Sequence, residues 1–491
     1  MLKTKVIAID LGASSGRLVE CALEGSRMQV REIYRFPNAG IRVHSRIYTD
    51  ILYIFDNILK GLQACAREGG RYEAAGIDAW GVDFGFLDEE GDLLGNLYQY
   101  RDPQSADMRA LFAERFGEKG LFYETGVQDM WYNTVYQLMG IKCRKKDAFH
   151  YASTFLMTAD VLGYFLTGEC SLEYTGVSTT QMYDMRKKKW SEKIFRQLEL
   201  ASDKFPEVLQ TGGIKGAFCR QVEEMTGINE GVKLVATAQH DSASAAYAAP
   251  AKESAYLFIN SGTWSVIGTI LDDPIINDKV YDHGFSNEGA AFGRVKLVKS
   301  IMGMWLVQEI RKRWKKKGLD TDYDFLMEEA GKAAAFSGYM DVDDETFIAP
   351  ADMEEAIAQY IARTGQRQLQ GQGEYYRAIM ESLAFKYRQA VMELEEICNR
   401  RYERIYLLGG AVQDKDFCQY IANATGKEVV AGPVEATAVG NGMIQLQALG
   451  KVKARDAVEI IRESFAVERH QPRETEVWKR NYENYLRVTG K

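Results

Sequence analysis

The sequence predicts an α/β protein made of two like halves, and three observations carry that expectation. The chain opens with a strand, a small polar turn and a second strand, VIAID–LGASSG–RLVECALE, followed by a third, MQVREIYRF. The same design returns past the midpoint as SAYLFINSGTWSVIGTIL, with GRVKLVKS as its third strand. After each opening, apolar runs of strand length alternate with stretches of helical spacing, the pattern of an α/β chain rather than an all-β one. A structural duplication is expected, with a ligand between the halves, because clefts between domains are favoured binding places.

At 491 residues the chain has room for two to four domains, and 46% hydrophobic with 26% charged residues is ordinary for a globular protein. No window approaches ~18 uninterrupted apolar residues, so no membrane span is expected. The chain runs straight into VIAID, leaving no room for a signal peptide, and a cytoplasmic location follows. A net charge of -8 speaks against nucleic acid. The one basic run, Arg311 to Lys317, follows IMGMWLVQEI and suits the C-terminal end of an amphipathic helix, where positive charge is favourable. Seven scattered cysteines and five histidines show no zinc-ligand spacing, so reduced thiols and no zinc are expected.

In order along the chain, Gly12 and Gly16 come first. A P-loop needs GK[ST] opening a helix and a dinucleotide fingerprint needs GxGxxG, but here a strand follows and lysine is absent. What remains is a tight loop of Ser14, Ser15 and backbone amides with Asp10 at its edge. Such a loop can cradle phosphates while a carboxylate holds a metal ion through water, although many hairpins carry Gly and Ser. Residues 50 to 68 have helical spacing, and AAGIDAWGVDFGFLD reads as two short strands meeting at Trp80 and Gly81. Asp78 and Asp83 lie inside that apolar stretch, costly unless paired or at a site; a strand edge is the alternative. Residues 100 to 231 are mostly helical in pattern, and Trp131–Tyr132, Tyr98, Tyr100 and Arg101 suit a core better than a sugar platform.

KLVATAQHDSASAAYAA, at the midpoint, reads as a strand ending at Gln239 and a helix from Ser242. Between them His240 and Asp241 occupy a strand-to-helix turn, where a rigid strand aims reactive groups. Asp241 equally suits a helix N-cap and His240 a satisfied core histidine. PAKES marks a boundary. Beyond it come a long helix over 373 to 402, the strand RIYLLGG with its Gly409–Gly410 turn, strand KEVVAGP and helix EATAVGNGMIQLQALG. Glycines there expose backbone as a flat base and ribose require, or serve as ordinary turn and packing residues.

Taken together, AIDLGASSGR, GIDAWGVDF, QHDSASA, NSGTWS, IMGMWLVQ, LLGGAVQ and AGPVEATAVGN, in this order over some 435 residues, resemble the FGGY carbohydrate kinases. The resemblance implies two ribonuclease H-like domains of the actin/hexokinase/Hsp70 type with a central interdomain cleft. Their limits would be 1–249 (phosphate loop, sugar site and catalytic acid), 250–454 (nucleotide binding) and a helical tail over 455–491. It further implies ATP-dependent phosphorylation of L-rhamnulose at its 1-hydroxyl, with L-fuculose or D-xylulose as alternative acceptors.

By the same resemblance Asp241 is the proton acceptor. Gly81, Asp83, His240, Ser242 and Ser300 bind sugar beside it. Ala13, Ser14, Ser15, Gly16, Arg17, Gly262, Thr263, Gln308, Gly409 and Gly410 contact ATP, and Asp10 faces Mg²⁺, through water. The implied partners are L-rhamnulose and ATP, with no nucleic acid or membrane, for a monomer or homodimer. The chain departs from the family pattern at Ala79 (DAWG for DTWG), Ser300 (for Asn) and Ala411 (GGA for GGG). Ser300 is shorter and loses an amide, which bears on the sugar rather than the reaction. A nucleotide-driven scaffold on the same fold would want an added domain, and a sugar-sensing regulator a basic N-terminal segment; the sequence offers neither.

Overall fold

Thr4–Leu11 (β1), Ser15–Glu24 (β2) and Arg27–Pro37 (β3) form an antiparallel meander in the computed structural model, which describes residues 3–490, without the side chains of 146–148. The outermost limits of the expected domains, 1 and 491, lie outside the described residues. The first turn is tighter than LGASSG suggests, because Leu11 ends β1 and Ser15 and Gly16 begin β2. Ala74–Ala79 (β4) lies parallel beside β1 on its other edge. Ile214–Ala217 (β5) and Lys233–Val235 (β6) complete the sheet in the order β5-β6-β4-β1-β2-β3, with β6 parallel to β4 and β5 antiparallel to β6. β1 and β4 are buried almost throughout, which is why they read as continuous apolar runs rather than alternations.

Two helices sandwich this sheet. Ile51–Arg67 is capped by Asp50, whose side chain accepts from Tyr53 N at 3.2 Å, and buries Ile51, Ile54, Ile58 and Leu62 along one stripe. Gly61 lets that helix approach Leu18 of β2, since a Cβ there would stand 2.5 Å from the leucine side chain. Ala436–Ala448 covers the other face. From it Gln445 Nε2 donates to Ile7 O at 2.9 Å, and Asn441 Nδ2 donates to Gly76 O at 3.2 Å and to the Asp78 carboxylate.

A second sheet repeats the first. Leu257–Ser261 (β7) pairs antiparallel with Trp264–Leu271 (β8), beside which runs Val295–Met302 (β9). Arg404–Leu408 (β10) is parallel to β7, Glu428–Ala431 (β11) parallel to β10, and Glu468–His470 (β12) antiparallel to β11. The order β9-β8-β7-β10-β11-β12 follows β3-β2-β1-β4-β6-β5, and a seventh strand, Ser286–Gly289, extends the second sheet beyond β9 without a counterpart in the first. The helix Gly371–Ile397 is the long one expected.

The chain divides into two compact units, one of Met1–Lys252, Ile270–Leu297 and Glu435–Phe465, the other of Glu253–Thr269, Val298–Val434 and Ala466–Lys491. No single cut at 249/250 produces them, since the helix Ala436–Ala448 belongs to the first. The stretch from 455 is not wholly helical either. Helices Ala454–Ser464 and Thr475–Thr489 flank β12, whose three residues are too few for an alternation to show. Ile301 and Met302 likewise finish β9, and the basic helix starts at Trp305. At its charged end Arg313 pairs with Asp352 at 2.7 Å and Lys317 with Glu354 at 2.6 Å. All seven cysteines are free thiols, and among the described residues no helix is long and apolar enough to cross a membrane.

Candidate active site

Three strands of the first unit bring charge together at their ends. Asp10 on β1 is register partner to Arg17 on β2 and to Asp78 on β4, so the three side chains emerge on one face, toward the helix Ala436–Ala448. Arg17 donates to Asp10 Oδ2 through Nε at 2.9 Å and Nη2 at 2.7 Å, and Nη1 reaches Glu435. Burial works against its charge, but Asp10 and Glu435 more than offset this. Arg17, expected at the ATP phosphates, is thus committed to two carboxylates in this state.

The loop Gly12–Ser14 is closed by Gly12 N donating to Ser15 O at 2.9 Å and by Asn38, whose side chain donates to Gly12 O at 2.8 Å. Gly16 is required by packing, for a Cβ would lie 2.3 Å from the Phe36 ring. Ala13, Ser14 and Ser15 form the loop's crest.

β6 delivers the midpoint pair. Past its end Ala79 N donates to Gln239 O at 2.8 Å, so His240 and Asp241 emerge at the carboxyl ends of parallel strands, where α/β sheets place their ligands. The backbone just before them is fixed by a buried acid the sequence reading did not single out. Glu173 accepts from Gln239 N at 3.2 Å, from Thr175 and from Thr211, and Thr175 Oγ1 accepts from His240 N at 3.1 Å.

His240, not Asp241, is the N-cap of the helix Asp241–Tyr247, and Asp241 accepts only from its neighbour Ser242 N, at 2.5 Å. The capping bonds to amides further on are not made. A third of the Asp241 side chain is exposed. Burial of the rest and the Asp10 charge push its carboxyl above the ordinary range, against His240 and the Ser242 amide. Asp78 has no exposed surface, and burial with the charges of Asp10 and Asp241 raises it well above that range.

The turn between β4 and Phe84–Leu87 holds Gly81. Val82 takes φ 67°, a strained conformation for a β-branched residue, sustained by Thr179 Oγ1 accepting from Val82 N at 3.0 Å and Thr134 Oγ1 donating to Val82 O at 2.7 Å. A Cβ at Gly81 would meet Thr179 at 2.8 Å. Asp83 is completely buried and accepts from Trp80 Nε1 at 2.8 Å and from Gln137. Its carboxylate therefore braces the turn rather than presenting itself to a ligand.

Among the described residues no three His, Cys, Asp or Glu side chains form a ready-made metal cage. Yet the Asp10 charge raises the carboxyls of both Asp78 and Asp241, and Asp78 Oδ1 is buried without a hydrogen-bond partner. Hard oxygen donors of this kind suit a cation that keeps most of its water.

The second unit carries the remaining expected residues. Gly262 and Thr263 form the β7–β8 turn, and the helix Trp305–Lys316 docks on it through Met304 N to Gly262 O at 3.0 Å and Trp305 N to Thr263 O at 3.1 Å. From that helix Gln308 Oε1 accepts from Thr263 Oγ1 at 3.2 Å. Gly409 (φ 86°) lets the end of β10 pass the Ser261 carbonyl, 3.0 Å from where its Cβ would be, while a Cβ at Gly410 would meet nothing within 4 Å. Bare backbone beside a glycine turn and a glutamine suits a nucleotide. Ser300 is exposed on β9.

The arrangement has counterparts. The model of the FGGY family of carbohydrate kinases matches in both its parts, the N-terminal domain over residues 5–248 and the C-terminal domain over 257–449. A rhamnulokinase of Bacteroides thetaiotaomicron is 35% identical over 484 residues, 98% of each chain. One of Oceanobacillus iheyensis is 36% identical over 461 residues, 94% of this chain and 96% of its own. Among solved structures, xylulose kinase from Lactobacillus acidophilus superposes with a TM-score of 0.82 at 16% identity, covering 99% of this chain and 97% of its own. Plasmodium falciparum glycerol kinase with ADP does so with 0.78 at 14%, covering 99% and 98%. With both family domains matched over most of its length, the chain belongs to the FGGY family of carbohydrate kinases.

Proposed function

We propose that the protein transfers the γ-phosphoryl group of ATP to the 1-hydroxyl of L-rhamnulose. The acceptor follows from relatives of nearly full length that are rhamnulokinases at 31–36% identity. The observation that carries the chemistry is Asp241, an acid at the start of a helix that makes no capping bond and keeps a third of its side chain exposed. Phosphoryl transfer asks for positioning and charge neutralisation more than covalent chemistry. Asp241 orients the hydroxyl and takes its proton late, as attack makes the hydroxyl acidic; its raised carboxyl pKa suits that task. His240 and Ser242 flank it as sugar contacts, and the strained Gly81–Val82 turn presents backbone to the same sugar. The loop of Ala13 to Ser15, the Gly262–Thr263 turn, Gln308 and the Gly409–Gly410 turn hold ATP. Asp10, with the buried Asp78 behind it, would hold magnesium, which when bound would neutralise phosphate charge.

Coupled ADP release with L-rhamnulose, L-fuculose, D-xylulose and L-ribulose tests this reading. L-Rhamnulose should exceed the others at least ~10-fold in kcat/KM, and Asp241→Asn should cut turnover on the order of 10²-fold or more while leaving sugar binding intact. Turnover of another ketose alone would overturn the acceptor assignment. Near-native turnover in Asp241→Asn would overturn the role of the acid.

A further inference from the structure

Lys296 and Glu288 have no part in the roles assigned so far. Lys296 lies on β9, within VKLV, and its side chain has no exposed surface, while Glu288 on the short strand Ser286–Gly289 keeps 16%. A wholly buried ammonium is costly and persists only when it is well paired. Lys296 Nζ donates to the Glu288 carboxylate and to Ser242 Oγ at 3.1 Å, and stands 3.3 Å from His240 Nδ1. One buried charge therefore reaches the residues on both sides of Asp241.

Glu288 Oε2 lies 3.1 Å from the same His240 Nδ1. Burial alone would raise the Glu288 carboxyl, but Lys296 and His240 overcome it and hold the group far below the ordinary range, so it is ionised and can only accept. Lys296, with Glu288 and Ser242 as acceptors, keeps a third N–H, but an Nδ1 without hydrogen would set its lone pair against the Glu288 carboxylate 3.1 Å away. The imidazole hydrogen therefore belongs on Nδ1, and Nε2, 3.6 Å from Asp241 Oδ1, keeps its lone pair. The opposite tautomer would donate from Nε2 to Asp241 and compete with a substrate hydroxyl for that carboxylate.

We propose that Glu288 and Lys296 are positioning residues that hold His240 in its Nδ1–H form, so that Nε2 and Asp241 offer two adjacent acceptors to two neighbouring hydroxyls of one sugar. The proposal rests on the reading of His240 and Asp241 as the acceptor site. Specificity follows from it: beside the reacting 1-hydroxyl, C2 of a ketose bears a hydroxyl only in the ring form, so a sugar with a carbonyl there leaves Nε2 unpaired.

Nitrogen-15 NMR of the full chain with labelled histidine reads the tautomer without any substrate, and with five histidines present, His240→Asn assigns the signal. The native protein should show Nδ1 protonated and Nε2 bare near neutral pH. In Glu288→Gln and Lys296→Met that signal should shift toward Nε2–H, and the acceptor KM should rise at least ~10-fold with the ATP KM unchanged. Lys296→Arg, which keeps the charge, should recover part of both. An Nε2–H tautomer in the native protein overturns the proposal, and so does a folded Glu288→Gln with native spectrum and acceptor KM. If Glu288→Gln does not fold, the native tautomer decides. If no ketose is phosphorylated, the functional reading falls while the tautomer still tests the Glu288–Lys296 device.

Discussion

Replacing Gly440 by alanine would place a Cβ 1.8 Å from the carbonyl oxygen of Ser244, where the helix Ala436–Ala448 crosses the helix Asp241–Tyr247. Cβ contacts under 3.0 Å do not occur, so the two backbones must part by at least about 1.2 Å. Both atoms belong to helices or to a side chain's first carbon, and no flexible group can yield in their place. Asp241 is the first residue of the displaced helix, one turn from Ser244, so the acid moves with it. A misplacement of about 1 Å costs on the order of 10²-fold in turnover, and overpacking of this kind costs about 1–3 kcal/mol of stability. The assay is kcat by coupled ADP release at saturating ATP and ketose, with thermal unfolding alongside. Gly40→Ala serves as control: its Cβ would meet the Gln99 side-chain amide at 2.7–2.8 Å, the far end of a flexible side chain that can turn away, so its loss should be smaller. A folded Gly440→Ala with kcat within about 2-fold of native would refute the coupling of helix crossing to catalysis.

Two further outcomes follow from the buried acids and the metal. Burial raises the Asp83 carboxyl from 3.8 to about 7, against the hydrogen bonds from Trp80 and Gln137. The folded state therefore binds that proton more tightly, and the stability it contributes is complete below about pH 4 and lost as pH rises through about 7, up to about 4 kcal/mol in all. The thermal midpoint of the native protein should fall relative to Asp83→Asn between about pH 4 and 7; parallel curves across that window would sink the assignment. Chelating divalent cations should abolish turnover and leave the unfolding midpoint in place, since among the described residues no three acids, histidines or cysteines form a metal cage of their own. Undiminished turnover in chelator would contradict that role.

Much of this was readable from local pattern. The hairpin around Gly12, its echo around Gly262 and the polar pair after β6 each announce themselves within about ten residues, through glycine, strand length and a change of period. What escaped depends on partners far along the chain. Asp78 looked costly in the sequence, but its partner Asn441 comes 363 residues later. Glu173 and Glu288 sit in short strands among small residues, where no period singles them out. Lys296 could have been found by the argument applied to Asp78, since a charge inside VKLV demands a partner, but the partner is two elements away. Asp83 shows a related ambiguity: the same burial that marks a binding acid also marks one that, bonded to Trp80 and Gln137, braces a turn.

The chain passes between its two units five times, at 252/253, 269/270, 297/298, 434/435 and 465/466. Heredity is constrained by that threading. A gene broken at codon 249 would deprive β1 and β4 of their closing helix, stranding the Asp78 carboxylate without the Asn441 amide and Ile7 O without Gln445. A crossover between two diverged relatives at the midpoint would set one parent's sheet under the other's helix. Substitutions on β1, on β4 and at 436–448 must then be inherited together, although they lie at opposite ends of the reading frame. The two halves look like a duplication, yet neither can be exchanged as a part.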